Sequence, residues 1–355
     1  GGRVVAVGLV VAPAGGRDGV VPVGGLGVAG QTRLRIVSDL SVGVAGRGLL
    51  HVAAGEVIVE RSAFIGANDF SSSFGSLRIE GQGRLNISES LLIGADRGRS
   101  DVNGVLTASQ NSVVTIDEDV QLFRFGRVEL HGDESAPAVY PILSAGMALR
   151  NNGELAVSYA SATLAGPSIN ERFGQTFADN ARLSFAGGLL NEGAIHLLDA
   201  SLMGDVRNGS GSLHITGESR VEGSLRFEID GALHLNLMGP DPTQFDALEV
   251  LGELELGGRL RLNIDDAYAP APGDEFVIVE ASGATSGTFD RREEGAVVAR
   301  IGDMRFAISY QGGDGNDVAV VASAVPEPAS LPLTVVLLAL FCARTARHGS
   351  RIDRR

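Results

Sequence analysis

The chain of 355 residues has 29 basic and 43 acidic residues, a net charge of −14, and 44% of its residues are hydrophobic. This composition excludes a disordered chain, and the negative charge argues against nucleic acid or an anionic membrane as a partner of the folded body. The 49 glycines, the lack of tryptophan and a single cysteine favour short strands and tight turns without disulfides.

The charge is divided unevenly along the chain. Every basic residue is an arginine, and the segment from Leu331 holds five arginines and one aspartate. That segment has a net charge of +4, which leaves −18 on the rest of the chain. We therefore expect the body to be well solvated and to repel other acidic polymers.

Residues 1–47 form an N-terminal region for which two interpretations stay open. Arg3, the apolar run that follows it and Ala12-Pro13-Ala14 match the end of a secretory signal with its cleavage site. The same run equally matches a first β-strand. Because the chain begins with Gly1 rather than methionine, we expect that the natural N-terminus lies further upstream.

Residues 48–130 contain three repeats of 27–29 residues that begin at Gly48, Gly75 and Gly104. Within each repeat the apolar residues come in pairs two positions apart, the period of a strand with one buried face. Three short strands per repeat follow from this spacing. The positions predicted to match are Leu50/Leu77/Leu106, Val52/Ile79/Ala108, Val57/Leu85/Val114, Val59/Ile87/Ile116, Ala63/Leu91/Val120 and Ile65/Ile93/Leu122.

A repeat of three one-sided strands cannot bury its apolar face alone, but stacked repeats cover one another. We therefore predict an all-β fold, a right-handed parallel β-solenoid (β-helix). The pattern continues less regularly through residues 131–244, with excursions at 137–141 and 166–176. Residues 245–324 are predicted to form a C-terminal β cap, because a solenoid needs its open strand edge covered.

Three histidines recur at equivalent positions, 18 and 20 residues apart: His196, His214 and His234. Each lies between two aliphatic residues, so the imidazoles would point outward and stack within about 5 Å on adjacent coils. No carboxylate or cysteine completes a metal site at matching positions. We therefore predict an exposed polar ladder, with no metal and no cofactor.

The remaining chemical motifs are weak. Residues 312–320 fit one copy of the calcium-binding nonapeptide, but a single copy cannot close an ion site, so we predict a glycine-rich hairpin. The acidic runs at 117–119, 265–266 and 293–294 are scattered and predict solvated turns. With no phosphate loop, nucleophile elbow or thiol in the body, we predict no catalytic residues and no enzyme.

Residues 325–355 have three parts in fixed order. They contain Pro326-Glu327-Pro328, an apolar run over 331–343, and an arginine-rich end that includes Arg344 and Arg347. As a helix, the run would rise about 20 Å, short of the roughly 30 Å hydrocarbon core. A short hydrophobic helix of this kind suits a transient inner-membrane anchor, with the arginines on the cytoplasmic side.

This tail resembles the PEP-CTERM sorting signal of Gram-negative bacteria, and that resemblance implies processing by an exosortase near Pro326–Pro328. From about Phe245 the chain also resembles the end of an autotransporter-passenger-like β-helix. The residues that carry this second resemblance are 245–250, 258–262, 272–279 and 310–321.

Together these features predict an exported structural or adhesive protein of the cell surface or extracellular matrix, with exopolysaccharide as a candidate partner. The alternative is a glycan-binding or glycan-processing β-helix of the polysaccharide lyase or hydrolase kind, whose ligand would lie along one outer sheet.

Overall fold

A computed structural model describes residues 3–6, 9–11, 23–43, 47–66, 74–95, 103–136 and 140–325. Ala12-Pro13-Ala14 and the predicted C-terminal helix lie outside these ranges. In the described part, almost every strand alternates buried and solvent-facing side chains, which is the period-two pattern of the sequence.

Within the described ranges, eleven coils of three strands each follow one another. In chain order their strands are β1 Arg3–Ala6, β2 Leu9–Val11, β3 Val23–Ala29, β4 Arg33–Ile36, β5 Leu40–Val42, β6 Arg47–Ala53, β7 Glu56–Val59, β8 Ala63–Ile65, β9 Phe74–Glu80, β10 Arg84–Ile87, β11 Leu91–Ile93, β12 Gly104–Ser109, β13 Val113–Ile116, β14 Val120–Leu122, β15 Gly126–His131, β16 Ile142–Ala145, β17 Leu149–Asn151, β18 Glu154–Ser158, β19 Ser161–Leu164, β20 Ser168–Asn170, β21 Gln175–Asp179, β22 Arg182–Phe185, β23 Leu189–Asn191, β24 Ala194–Leu198, β25 Ser201–Met203, β26 Val206–Asn208, β27 Ser212–Thr216, β28 Glu218–Glu222, β29 Leu225–Phe227, β30 Ala232–Leu237, β31 Ala247–Val250, β32 Leu254–Leu256 and β33 Arg259–Ile264. A single 3-10 turn, Pro242–Gln244, precedes β31 in the described chain.

Five further strands complete the described chain: β34 Glu275–Ala281, β35 Thr285–Gly287, β36 Val297–Ile301, β37 Met304–Gly312 and β38 Asp317–Ala324. The strands of successive coils form three sheets. Sheet A contains β1 and β4, sheet B contains β2 and β5, and sheet C contains β3 and β6, each with its counterparts on later coils. Pairing between coils is parallel in all three sheets. The predicted parallel β-solenoid is therefore confirmed.

The side-chain matching predicted for residues 48–130 is the matching observed. Leu50, Leu77 and Leu106 are partners on sheet C, and Val57, Leu85 and Val114 are partners on sheet A. All six predicted rows pair in this way, and their members are at most 1% exposed. Each fully buried aliphatic side chain contributes about 1.5–3 kcal/mol to folding, so these rows form the core.

The coils become shorter in the second half of the rod without losing register. Ile142 on sheet A pairs with Val113 of the preceding coil and with Ser161 of the following coil, and Ser161 is much nearer to it in sequence. The next sheet A pairs, as far as Arg220, keep this shorter interval. Residues 166–176, which were predicted to leave the coil, instead contain β20 and the start of β21. The irregular pattern thus reflects shorter connections between strands.

One inward row on sheet B changes from aliphatic to amide side chains. Leu122 is followed on the next four coils by Asn151, Asn170, Asn191 and Asn208, each at most 1% exposed. Each of the first three amide nitrogens donates to the amide oxygen of the next asparagine, at 2.7–2.8 Å. This asparagine ladder satisfies buried polar groups that would otherwise cost about 1–3 kcal/mol each.

The last coils are closed by antiparallel strands. Strand β34 continues sheet A in parallel with β31, and then β38, β37 and β36 add to it in antiparallel order. Strand β36 reaches β33, the last strand of sheet C. Phe276, which is fully buried, packs against Phe245, Tyr268 and Phe306. Residues 245–324 therefore start with one more complete coil, β31 to β33, before the chain turns back over the core.

A tight corner between sheets B and C requires glycine. Gly94 has a φ of +81°, and a Cβ there would lie 2.2 Å from the backbone nitrogen of Gly126 on the next coil. Gly295 has nearly the same φ, +77°, but open space around the Cβ position. Alanine substitutions at the two positions therefore distinguish the cost of backbone strain from the cost of a steric clash.

We expect Gly94→Ala to lower the free energy of unfolding by at least about 3 kcal/mol, because it combines the left-handed strain with displacement of the adjacent coil. Gly295→Ala should cost only about 1 kcal/mol, the strain alone. Urea unfolding followed by circular dichroism measures both, and equal losses would show that the coils do not approach closely at this corner.

Candidate functional site

The outer face of sheet C carries a continuous row of aromatic rings. Phe177, His196, His214 and His234 are partners on four successive coils, and Arg261 follows on the fifth. Ring centroids are 4.7, 4.4 and 4.0 Å apart, and neighbouring rings are tilted by only 13–24°. We call these five residues the histidine column.

The local sequence explains why the rings face outward. The residues on either side of each histidine are aliphatic and point into the core, where they are at most 1% exposed: Ile195, Leu197, Leu213, Ile215, Leu233 and Leu235. Since side chains alternate along a strand, the imidazoles between them must lie on the outer face. The predicted stacking of the three histidines within about 5 Å is confirmed.

The stack disfavours protonation of its rings. The pKa of His234 is lowered to about 4, first by partial burial and then by His214 and Arg261. Burial also lowers the pKa values of His196 and His214, with a smaller contribution from another imidazole of the column in each case. At neutral pH the three rings are therefore neutral, and each has one N–H donor and one nitrogen acceptor.

Ring stacking also bears on metal binding. The nitrogen lone pairs of stacked imidazoles lie in nearly parallel planes, so they cannot converge on one ion at tetrahedral angles. In the part of the chain that the structure describes, no group of three or more His, Cys, Asp or Glu side chains is placed to hold a metal ion. Nε2 of His214 lies 2.9 Å from Oγ of Ser212 on the same strand.

The surface around the column carries basic side chains, although the protein as a whole is acidic. The outward positions of β24, β27, β30 and β33 carry the three histidines, Arg259, Arg261 and several neutral residues, and none of these positions holds Asp or Glu. A groove of about 530 Å³ runs along His214, His234 and Arg261, with Val298 of β36 at its edge. We call the outer surface of these four strands the basic face.

A larger groove, of about 930 Å³, lies at the corner between sheets C and A near the start of the solenoid. Arg3, Arg33 and Arg84 line it, together with Glu56 and Tyr140. Glu56 accepts a hydrogen bond from Nε of Arg33 at 2.5 Å, so part of the positive charge is neutralised locally. This groove is larger and also has arginines, but Glu56 lies among them, whereas the outward positions of the basic face hold no carboxylate.

Two other predicted features have simple structural roles. Residues 312–320 form the hairpin between β37 and β38, as predicted, and the buried Asp317 accepts a hydrogen bond from the backbone N–H of Ala281 at 2.8 Å. The acidic runs at 117–119, 265–266 and 293–294 are exposed between strands, which confirms them as solvated turns.

The predicted sorting residues lie outside the described part of the chain. They are Pro326, Glu327, Pro328, Arg344 and Arg347, together with the apolar run at 331–343. Among the described residues, no helix has the length and hydrophobicity needed to cross a bilayer.

Sequence reasoning identified the histidines of the column but missed its two ends. Phe177 lies one coil before His196, and Arg261 lies one coil after His234. Both lie between inward-facing residues, and this pattern could have placed them in the same outer row as the histidines. Because they are not histidines, the repeat of one residue type did not reveal their position. The groove was not predictable because Val298 reaches it from a distant part of the chain.

No family model matches the sequence, and no curated protein matches it either. Among solved structures, the chain is similar to the crystal structure of a TibC-catalyzed hyper-glycosylated TibA fragment, residues 55–350. The TM-score is 0.35 and the identity 11%, and the alignment covers 81% of this chain and 97% of that chain. The parallel register of the strands in sheets A, B and C shows the solenoid fold independently of this similarity.

Proposed function

We propose that this protein is an exported structural or adhesive rod of a Gram-negative bacterial surface or extracellular matrix. Its C-terminal tail would be a PEP-CTERM-like sorting signal that an exosortase processes. The apolar run at 331–343 would hold the chain briefly in the inner membrane before that step.

The observation that supports a structural role most strongly is the unbroken register of eleven coils. At about 4.8 Å per coil, the stack makes a rod roughly 50 Å long. The rod's interior is filled by aliphatic rows and the asparagine ladder. Because the interior is filled, a ligand can contact only the outer faces of the rod, as expected of a protein that functions through its surface.

The rod also has a charged and strongly paired exterior. Arginine and glutamate side chains on adjacent coils form ion pairs, among them Arg220 with Glu249 and Arg127 with Glu154. Individual exposed pairs contribute only about 0–1 kcal/mol each, but charged outer positions keep the strands from associating with other sheets. This surface supports a role as a solvated rod outside the cell.

The sorting proposal predicts a specific defect. Deleting Pro326 to Pro328 should leave the tail uncut, so the full-length chain should accumulate in the inner-membrane fraction and disappear from the surface fraction. Fractionation and immunoblotting of exosortase-positive cells measure this, with Ala329→Gly/Ser330→Ala as the matched control beside the motif. Unchanged surface release after the deletion would contradict the proposed role of this segment as a sorting signal.

The rival function is a glycan-binding or glycan-processing β-helix, and the basic face favours its binding form. Purified protein incubated with a panel of polysaccharides distinguishes processing from display. Turnover of any polymer, seen as new reducing ends or a falling viscosity, would replace the structural proposal with an enzymatic one.

A further inference from the structure

The basic face concentrates basic side chains within an acidic protein. The chain has a net charge of −14, yet the outward positions of β24, β27, β30 and β33 hold two arginines and three titratable histidines without a carboxylate. The general repulsion of acidic polymers expected from the net charge therefore does not extend to this face at short range.

The arginines of the basic face also differ from two arginines on sheet B, Arg207 and Arg226. Arg207 and Arg226 on sheet B form ion pairs with Glu228 and Glu255 on the following coils. Within the described residues, neither Arg259 nor Arg261 has a carboxylate oxygen within 4 Å. Their guanidinium groups thus keep donors for an external acceptor.

Stacking decides which part of each imidazole can meet a ligand. Both faces of His196 and His214 and one face of His234 are covered by neighbouring rings, so the ring edges with their nitrogens are the parts of the stack left for a ligand. Edges recognise hydroxyl and carboxylate groups by hydrogen bonding, whereas covered faces cannot stack on a ligand. The neutral neighbours Thr216 and Asn236, which also line the groove, add further partners for hydroxyl groups.

We infer that the basic face binds an acidic polysaccharide, whose carboxylates contact Arg259 and Arg261 and whose hydroxyl groups contact the imidazole edges. This inference rests on the proposed function, because it names the matrix component that the displayed rod would hold. A polysaccharide fits better than a nucleic acid, since its carboxylates are spaced by neutral hydroxyl-bearing groups and the long-range field of this chain opposes a densely charged polymer.

Binding should strengthen as the pH falls. In the free protein the imidazoles are neutral near pH 7 because their pKa values are lowered from the ordinary value of histidine. The pKa of His234 is lowered to about 4. A bound anion favours the protonated form, so binding takes up protons. Charged groups beside the column include Arg259, Arg261 and Asp179 of β21, which accepts hydrogen bonds from Ser158 and Asn180. The buried Asp246 accepts hydrogen bonds from the backbone N–H and Nδ2 of Asn236, which lines the groove.

The test measures binding of polygalacturonate to the full-length chain in mild detergent, with dextran as the neutral polymer, at pH 5.0 and pH 7.5. We expect affinity for polygalacturonate at least fivefold higher at pH 5.0, and no comparable binding of dextran. Arg259→Gln/Arg261→Gln should weaken binding at least tenfold. Arg207→Gln/Arg226→Gln removes the same charge from sheet B and should change it less than twofold.

Each alternative outcome overturns the inference in a recognisable way. Equal losses in the two double variants would mean binding through net charge rather than through this face. Equal binding of dextran would show that the face does not select an anionic ligand. Tighter binding of poly-glutamate than of polygalacturonate would indicate an acidic protein as the partner. None of these results bears on surface sorting, which the deletion of Pro326 to Pro328 tests separately.

Discussion

Leu50→Ala is expected to lower the free energy of unfolding by about 2–5 kcal/mol, and Leu49→Ala by about 0.5 kcal/mol or less. The two leucines are neighbours on β6, but Leu50 is fully buried between Leu26 and Leu77, whereas Leu49 is 40% exposed on the outer face. Truncation at Leu50 removes apolar area and leaves a cavity between two coils. Urea titration followed by circular dichroism measures both variants.

The comparison of Leu50→Ala with Leu49→Ala is sensitive to the strand register because side chains alternate along a strand. A register displaced by one residue would exchange the buried and exposed positions and reverse the order of the two losses. Equal losses would contradict a one-sided strand at β6. Because repeat arrays can unfold in parts, amide hydrogen exchange at Leu26 and Leu77 should show the loss concentrated in the adjoining coils.

Asn170→Asp is expected to lower the free energy of unfolding by on the order of 3–5 kcal/mol at pH 7. The substitution conserves side-chain shape but removes the Nδ2 donor that serves Asn191 and places a carboxylate at a site that is 1% exposed. Asn151 and Thr176 would still donate to the new side chain, but two neutral donors cannot compensate for the loss of hydration.

The cost should depend on pH in a defined direction. Burial raises the pKa of the introduced carboxyl in the folded state above about 3.9, its value in the unfolded chain. Relative to the parent, the variant should be least destabilised below that pH and increasingly destabilised as pH rises toward the folded-state pKa. Asn111→Asp, at an exposed turn, should differ from the parent by under about 0.5 kcal/mol. A pH-independent difference at Asn170 would contradict its burial.

The aliphatic rows of residues 48–130 were predictable because nothing competes with the period of the sequence. Repeats of near-constant length, apolar pairs two apart and glycine or serine at the turns all indicate the same register, and rows such as Leu77 against Leu106 follow from it. The outward stacking of His214 on its neighbours was predictable for the same reason, since aliphatic residues flank each histidine.

The asparagine ladder was not predicted, because a polar residue ordinarily indicates an outer position. Asn151, Asn170, Asn191 and Asn208 recur at unequal intervals, and only Asn151 and Asn191 precede a glycine by two positions. The spacing of the asparagines matches the coil length only when the change to shorter coils is known. Burial of one amide also depends on hydrogen bonds to amides on adjacent coils, which the sequence does not show directly.

The unpredicted parts of the candidate site depend on contacts that are remote along the chain. Val298 reaches the groove because sheet A folds back over the last coil through three antiparallel strands, whose pairing no local pattern specifies. The lack of carboxylates on the basic face likewise emerges only when four strands from separate coils are placed side by side.

The most direct test of the solenoid is a distance along its axis between two nitroxide labels on one outer row of sheet C. Arg78→Cys and His214→Cys, with Cys342→Ala to remove the natural thiol, place the labels six coils apart. At about 4.8 Å per coil, pulsed electron paramagnetic resonance should give one peak at about 29 Å. A mean below about 20 Å, or a broad distribution without one main peak, would contradict the stacked coils.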